Sequence, residues 1–132
     1  MRVLCRSNTG RNLSAKHFEA GYTSSSEFDL EPTTEYIVYG MSLSQGLLSY
    51  LIVGHGGWPH WYPSELFTLT RTDLPLYWHF AYFREDEGFV VNAIWGYEEL
   101  INNDDHFDSL SNMETRAIEV FLERKEQIDK VS

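Results

Sequence analysis

The sequence predicts one α+β domain, built on a twisted and mainly antiparallel sheet with two helices packed against it. Several runs of about seven residues are rich in aromatic and β-branched side chains and are separated by turn formers, which predicts the sheet. After Gly96 the apolar residues change to helical spacing, which predicts the helices. At 132 residues, with 42% hydrophobic and 15% aromatic residues, the chain fits a single domain over residues 1–132.

The N-terminal quarter of the chain combines one strand with a long irregular stretch. The strand is expected at 2–6, where Cys5 is the chain's single cysteine, so that no intramolecular disulfide can form and a buried structural thiol is expected. Residues 11–35 have no clear elements and predict an excursion over the surface. Four apolar side chains are expected to hold this excursion against the protein: Phe18, Tyr22, Phe28 and Leu30.

The first predicted hairpin pairs residues 36–41 with residues 47–53, across a linker that contains the Gln-Gly sequence at 45–46. The next apolar segment contains Pro63, which has no backbone N–H to donate. Residues 61–62 are therefore expected at a bend or at the edge of the sheet.

A second hairpin and two helices complete the predicted fold. Residues 76–83 return antiparallel as residues 89–95, through a charged connection at 84–88 that ends in glycine. A short helix is expected near 97–102 and a C-terminal helix near 112–128.

The C-terminal helix is predicted from its start signal and its apolar stripe. Ser111 and Glu114 have the Ser-x-x-Glu spacing of a capping box, in which each side chain satisfies a free backbone N–H of the other residue. The apolar stripe that should dock on the sheet comprises Met113, Ala117, Val120, Phe121 and Ile128.

The charge of the chain is unevenly distributed. Of the twenty acidic residues, thirteen lie in residues 85–132 with four Lys or Arg, whereas residues 1–84 hold seven acids and six bases; the two parts sum to −9 and −1, the stated −10. A negative surface of this density attracts basic proteins and repels nucleic acids and anionic membranes. We therefore expect a basic protein partner, with no nucleic acid and no membrane.

Two sets of residues are candidates for contacting that partner. The acidic candidates are Glu85, Asp86, Glu87, Glu98, Glu99, Asp104, Asp105 and Asp108. The aromatic candidates are Trp58 and Trp61, which lie in a Gly- and Pro-containing stretch and belong to the residue types most often found as interface anchors. The structural alternatives are that the acids only supply solubilising charge and that Trp61 and Tyr62 close the end of a small barrel.

No catalytic or metal-binding motif is found in the sequence, so no cofactor is expected. His55 and His60 are five residues apart, which does not match helical ligand spacing, and no cysteine pair accompanies them. The Gly-His-Gly-Gly sequence at 54–57 precedes a proline rather than a helix and therefore does not form a phosphate cradle.

No apolar run reaches the ~20 residues that a membrane span requires. Arginines interrupt the N-terminus where a secretory signal would be apolar. A cytosolic location is expected.

Several segments resemble known proteins when they are taken together. The Tyr-Ile-Val-Tyr-Gly sequence at 36–40, the Tyr-Leu-Ile-Val sequence at 50–53 and the Trp-Tyr-Pro-Ser-Glu-Leu-Phe sequence at 61–67 resemble the strands of SH3-like β-barrel proteins. With the Ala-Ile-Trp-Gly-Tyr-Glu-Glu-Leu sequence at 93–100, the chain is similar in size, acidity and layout to bacterial immunity proteins of polymorphic or contact-dependent toxin systems.

The resemblance implies a partly barrel-like sheet and a cytosolic protein that neutralises a cognate toxin by stoichiometric binding. Many such toxins are nucleases with basic grooves, which an acidic surface could cover. Two alternatives stay open at this point: an interaction module of a phage or bacterial assembly, and a small hydrolase that uses His55 or His60.

Overall fold

The computed structural model of the chain describes residues 1–83 and 91–132. Within these ranges most strands come first and three of the four helices follow the last strand, which is the segregated order of an α+β protein, as predicted. The strands are β1 (Arg2–Cys5), β2 (Glu35–Ile37), β3 (Gly40–Ser44), β4 (Leu47–Val53), β5 (Pro59–Pro63), β6 (Phe67–Arg71), β7 (His79–Tyr82) and β8 (Ala93–Gly96). The helices are α1 (Ala15–Glu19), α2 (Glu98–Asn102), α3 (Asp104–Ser111) and α4 (Thr115–Val131), with 3-10 turns at Gly10–Asn12 and Ser64–Leu66.

The strands form two antiparallel sheets. One has three strands in the order β2-β1-β6, and the other has five in the order β5-β4-β3-β8-β7. In the described ranges neither sheet closes on itself, so the partly SH3-like barrel expected from the sequence is not confirmed. β5 is an edge strand that ends at Pro63, which confirms the predicted edge position of residues 61–62.

The five-stranded sheet separates two hydrophobic cores. In β4, Tyr50 and Ile52 point into one core while Leu51 points into the other, because successive side chains of a strand face opposite sides. The first core also contains Val3 and Cys5 of β1 and therefore lies between the two sheets. The second core is formed with the helices, whose buried side chains are Leu100, Ile101, Leu110, Ala117, Phe121 and Ile128.

The predicted first hairpin is present as β3 and β4, with different strand boundaries. Gln45 and Gly46 are the two turn residues and both have positive φ, of 52° and 78°, which a two-residue hairpin with right-handed strand twist favours. The predicted strand at 36–41 is divided between the sheets. Val38 N–H donates to the carbonyl of Met1, whereas Tyr39 N–H donates to Leu51 of β4.

The second predicted hairpin is represented by β7 and β8, which pair antiparallel. Its connection at 84–88 lies outside the described residues. Between residues 11 and 35 the chain forms a 3-10 turn, the short helix α1 and an isolated bridge from Thr9 to Glu27. Leu30 is buried there, but Phe18 is 40% exposed, so the expectation that Phe18 holds this segment down is wrong.

The C-terminal helix is present, but its predicted start is wrong. Ser111 is the last residue of α3, where its hydroxyl donates to the carbonyl of Phe107, and α4 begins at Thr115. The capping box does not form because Ser111 lies inside an additional helix, α3. The side chain of Asn103 caps that helix by accepting a hydrogen bond from the N–H of His106. Of the predicted stripe, three residues are buried: Ala117, Phe121 and Ile128.

Candidate functional site

Helix α3 presents three aspartates on one side and packs the other side into the protein. Asp105 and Asp108 are three residues apart and Asp104 and Asp108 are four apart, so all three lie on one helical face. All three are exposed, whereas His106 and Leu110 on the opposite side are buried. Asp104 and Asp105 also occupy the first turn, where negative charge stabilises a helix. We call Asp104, Asp105 and Asp108 the α3 aspartates.

The basic side chains near α3 are already paired with other acids. Within residues 91–132 there are four Lys or Arg residues. Their ion pairs are Arg116 with Glu119 at 3.4 Å, Arg124 with Glu99 at 2.7 Å and with Glu98 at 3.5 Å, Lys125 with Asp129 at 2.6 Å and Lys130 with Glu126 at 3.7 Å. In the described ranges no Lys, Arg or His lies within ion-pair distance of an α3 aspartate, so their charge faces solvent uncompensated.

The other acidic candidates are placed differently. Arg124 binds Glu99 through two hydrogen bonds and holds the pKa of that carboxyl below its ordinary value. Glu98 is more exposed and shares the same guanidinium. The structure therefore brings the α3 aspartates together but places Glu99 in an internal ion pair. Glu85, Asp86 and Glu87 lie outside the described residues.

Trp61 of β5 packs beside α3 and forms one wall of a small cleft. Its indole lies 5.5 Å from the ring of Phe107, measured between ring centroids, with the planes tilted by 34°. The cleft has a volume of about 90 Å³ and is lined by Leu51, Pro59, His60, Trp61, Leu110 and Ser111. It is far smaller than the roughly 300–1,000 Å³ of a small-molecule site, so a single side chain is the largest group that it fits.

One donor beside this cleft has no acceptor within the described chain. Nε1 of Trp61 is buried and unpaired there, although a buried indole N–H usually finds a partner.

Trp58 lies in the turn between β4 and β5, directly before Pro59 of the cleft, and is 55% exposed. Asp29 holds this turn: its Oδ2 accepts from Gly56 N–H at 2.8 Å, and its carbonyl accepts from His55 N–H at 2.9 Å. A Cβ at Gly54 or at Gly56 would lie within 3 Å of Asp29, so glycine is required by this close approach. The glycine-rich sequence is thus explained by the turn, which presents Trp58 to solvent.

Among the residues that the structure describes, the histidines form no recognisable catalytic arrangement. His55 is exposed and lies 3.9 Å from the exposed Glu31. His60 and Ser111 both line the cleft, but the Ser111 hydroxyl donates to the carbonyl of Phe107. Across residues 1–83 and 91–132 no three His, Cys, Asp or Glu side chains are grouped to hold a metal ion. Burial raises the pKa of the Cys5 thiol, which opposes a nucleophilic role.

Sequence reasoning missed His106, which contributes to the site by fixing α3. Its Nε2 lies 2.6 Å from the Tyr97 hydroxyl, and only 5% of the residue is exposed. A signal was available, because His106 is four residues before the buried Leu110 and therefore lies on the same helical face.

Comparisons with family models, with curated proteins and with solved structures found no match for this chain. In the described part of the chain, every helix is too short or too polar to cross a bilayer.

Proposed function

We propose that this protein binds and neutralises a basic protein partner, and that it does so as an immunity protein that inhibits a cognate bacterial toxin. The observation that carries the proposal is the set of three uncompensated α3 aspartates beside the Trp61 cleft. Protein recognition combines charge with well-packed aromatic contacts, and both are present where α3 meets β5.

The charge acts before contact. A focused negative field raises the association rate of a cationic partner by about 10–10³-fold at low salt. The α3 aspartates are suited to this because no described cation offsets them, whereas the ion-paired acids of α4 are partly neutralised by neighbouring bases. Rapid association suits an inhibitor that must reach its toxin before the toxin reaches its target.

The aromatic side chains act after contact. Trp61 and Leu110 line the cleft, in which one partner side chain can pack, and Phe107 supports the Trp61 ring. Trp58 extends the apolar surface next to Pro59. Such residues govern the dissociation rate more than the association rate.

The toxin assignment rests on acidity and on the resemblance to immunity proteins. A nuclease toxin must bind phosphates through a basic groove, and an acidic helix complements such a groove in charge. Occupation of the groove by the α3 aspartates would exclude the nucleic acid.

The test begins with the gene adjacent to the one that encodes this chain. An immunity protein is expected next to a reading frame for a large secreted protein with a short, basic C-terminal domain. That domain should arrest bacterial growth when it is expressed alone and should not do so when it is co-expressed with this chain. Continued growth arrest, or a neighbouring frame with no toxic domain, contradicts the toxin assignment.

The electrostatic contribution is tested with two triple variants of equal net charge. One replaces the α3 aspartates by asparagine, and the other replaces Glu119, Glu123 and Glu126 of α4 by glutamine. At low salt we expect the α3 variant to slow association at least about tenfold and to show a shallower salt dependence. The α4 variant should change the rate by less than about threefold. Equal effects would show that only net charge matters and would remove the α3 aspartates from the site.

A further inference from the structure

One apolar row crosses the whole five-stranded sheet and becomes exposed at its β7 end. The row is formed by residues that lie directly opposite each other on successive strands: Tyr62, Tyr50, Met41, Trp95 and Phe80. Tyr62 and Tyr50 are buried under the three-stranded sheet, Met41 and Trp95 are half-buried, and Phe80 is 55% exposed. The Phe80 ring packs on Trp95 with 5.0 Å between the centroids.

Tyr82 extends the same face by one further position along β7. It lies two residues after Phe80, pairs with Ala93 and is 62% exposed. The face that Phe80 and Tyr82 share is opposite to the face on which the helices pack, because Ala81 points into the helix core. The α3 aspartates and the exposed aromatics of β7 therefore lie on different sides of the sheet.

In the described part of the chain, the backbone of β7 has no partner strand on its outer side. Phe83 N–H donates to the Asn92 carbonyl at 2.6 Å, and because bonds in an antiparallel ladder alternate, Ala81 and His79 also pair with β8. The N–H and C=O groups of Phe80 and Tyr82 then point away from β8. Among the described residues none bonds to them, since β7 is the edge of the sheet.

The other edges carry proline or charge, which discourage pairing, whereas β7 carries neither, although it has only four residues. β5 begins and ends with proline, β6 ends at Arg71, and β2 has only three residues, of which one is Glu35. The segment 74–83 contains no Asp, Glu, Lys or Arg and one proline, at its second residue. Natural sheets protect their edges with charge, proline or short strands, so an aromatic and uncharged edge indicates that a strand is added there.

We propose that the added strand is β7 of a second copy of this chain, related by a twofold axis through Ala81. In this register Phe80 pairs with Tyr82 of the second copy and Tyr82 with its Phe80. Each of these pairs exchanges two backbone hydrogen bonds, which satisfies all four outward groups of each β7. The aromatic side chains meet as cross-strand neighbours, and the small Ala81 side chains lie at the axis.

Charge favours a second copy over a strand from a basic partner. The described residues of this edge, 74–83, include no Asp or Glu, so a basic segment has no described charge to pair with there, whereas the α3 aspartates lie on the opposite side of the sheet. The pairing also joins uncharged segments of two chains whose net charge is −10 each. Added salt should therefore strengthen the dimer by screening repulsion, whereas it should weaken the binding of a basic partner.

The exposed area sets the expected strength. Leu76, three residues before β7, is fully exposed. If a fully exposed large side chain has an area of ~200 Å², then Leu76, Phe80 and Tyr82 together expose roughly 400 Å². With the paired backbone, this approaches the roughly 600 Å² per partner that marks the weak end of specific interfaces. A dimer with a micromolar dissociation constant is expected.

Sedimentation velocity of the full chain over a micromolar concentration series tests the dimer. The wild type should convert from monomer to dimer as concentration rises, more completely at high salt. Phe80→Lys with Tyr82→Lys should weaken dimerisation at least about tenfold. Leu69→Lys, the same kind of change at a half-exposed position on the edge strand β6, should behave as the wild type. A monomer at all concentrations, or equal loss in both variants, overturns the proposal.

Two measurements locate the interface without relying on the lysine variant. In the wild type, amide hydrogen exchange at Phe80 and Tyr82 should slow only at high concentration. Ala81→Cys should form a covalent dimer under mild oxidation, because directly opposite Cα atoms in a non-hydrogen-bonded pair lie ~4.5 Å apart. Leu69→Cys should not. Protection elsewhere, protection only with a different protein, or equal cross-linking of both cysteines contradicts the twofold pairing through Ala81.

Discussion

Arg124 donates two parallel hydrogen bonds to Glu99, from Nε to Oε1 at 2.7 Å and from Nη2 to Oε2 at 3.0 Å. The two residues are 25 positions apart, and their pairing joins α4 to the first turn of α2. Both side chains are less than one third exposed, so water screens this pair less than it screens a surface ion pair. The ion pair places Glu99 in a contact between α2 and α4, so Glu99 does not contribute to the exposed acidic surface.

Replacing Glu99 by glutamine should therefore destabilise the protein in a pH-dependent way. Arg124 lowers the folded-state pKa of Glu99 below 4.5, so the ionised carboxylate stabilises the fold above that pH. As pH falls through the lower, folded-state pKa, the stabilisation is lost. Urea unfolding at neutral pH should show a loss of about 1 kcal/mol, and the difference from the wild type should vanish in acid. Glu119→Gln, at an exposed pair, should cost less than about 0.5 kcal/mol.

The contact of Gly96 with Leu100 predicts a strong coupling between two substitutions. Gly40 and Gly96 face each other on β3 and β8, and a Cβ at Gly96 would lie 2.6 Å from Cδ2 of the buried Leu100. Gly96→Ala should cost about 1–3 kcal/mol by overpacking. In a Leu100→Ala background this cost should fall by about 1 kcal/mol or more, because the obstructing methyl is gone. Additive unfolding free energies in the double-mutant cycle would contradict this packing.

The strands could be predicted from the sequence because their signal is local. Residues 47–53 are apolar and are bounded by turn formers, which predicts a strand. In the structure they form β4, whose side chains alternate between the two cores. The division of residues 36–41 between two sheets could not be predicted. It depends on which strand receives each backbone bond, and the partners Met1 and Leu51 are distant in sequence.

The candidate site was also predictable only in part, again because local features could be predicted and tertiary contacts could not. The α3 aspartates were predicted from local charge, but their helix was missed, because the short helix was expected to end near residue 102 and Asn103 directly after it is the N-cap of a further helix. The removal of Glu99 by Arg124 depends on a tertiary contact that spacing does not encode. The exposure of Phe80 and Tyr82 was not foreseen either, since aromatic residues in a strand ordinarily predict burial.

Phe121 should be the most sensitive position of α4. It is fully buried, and its ring packs edge-on against Tyr39 at 5.4 Å and Tyr97 at 6.3 Å, between ring centroids. Phe121→Ala should lower the free energy of unfolding by about 3–5 kcal/mol. The neighbouring Leu122 is half exposed, and Leu122→Ala should cost less than about 1 kcal/mol. Similar losses in chemical denaturation of the two variants would mean that α4 packs through a different face.

The hydrogen bond between Tyr97 and His106 makes the stability of the fold depend on the protonation of His106. Burial raises the pKa of Tyr97 far above its usual range, so its hydroxyl stays protonated, and it shares a hydrogen bond of 2.6 Å with Nε2 of His106. Burial also lowers the pKa of His106, although the nearby Glu99 carboxylate acts in the opposite direction.

The fold should therefore lose stability as His106 is driven to bind a proton. Between the lowered pKa in the folded state and 6.5 in the unfolded state, the unfolded chain binds more protons, so the free energy of unfolding falls as pH decreases through this window. His106→Gln keeps an acceptor for Tyr97 but cannot titrate. Its stability relative to the wild type should therefore improve as pH is lowered from about 7.5 to about 5. Thermal unfolding across this range measures the difference, with His79→Gln, at an exposed ring, as the control. Parallel profiles for His106→Gln and the wild type would mean that His106 binds its proton equally well in the folded and unfolded chains.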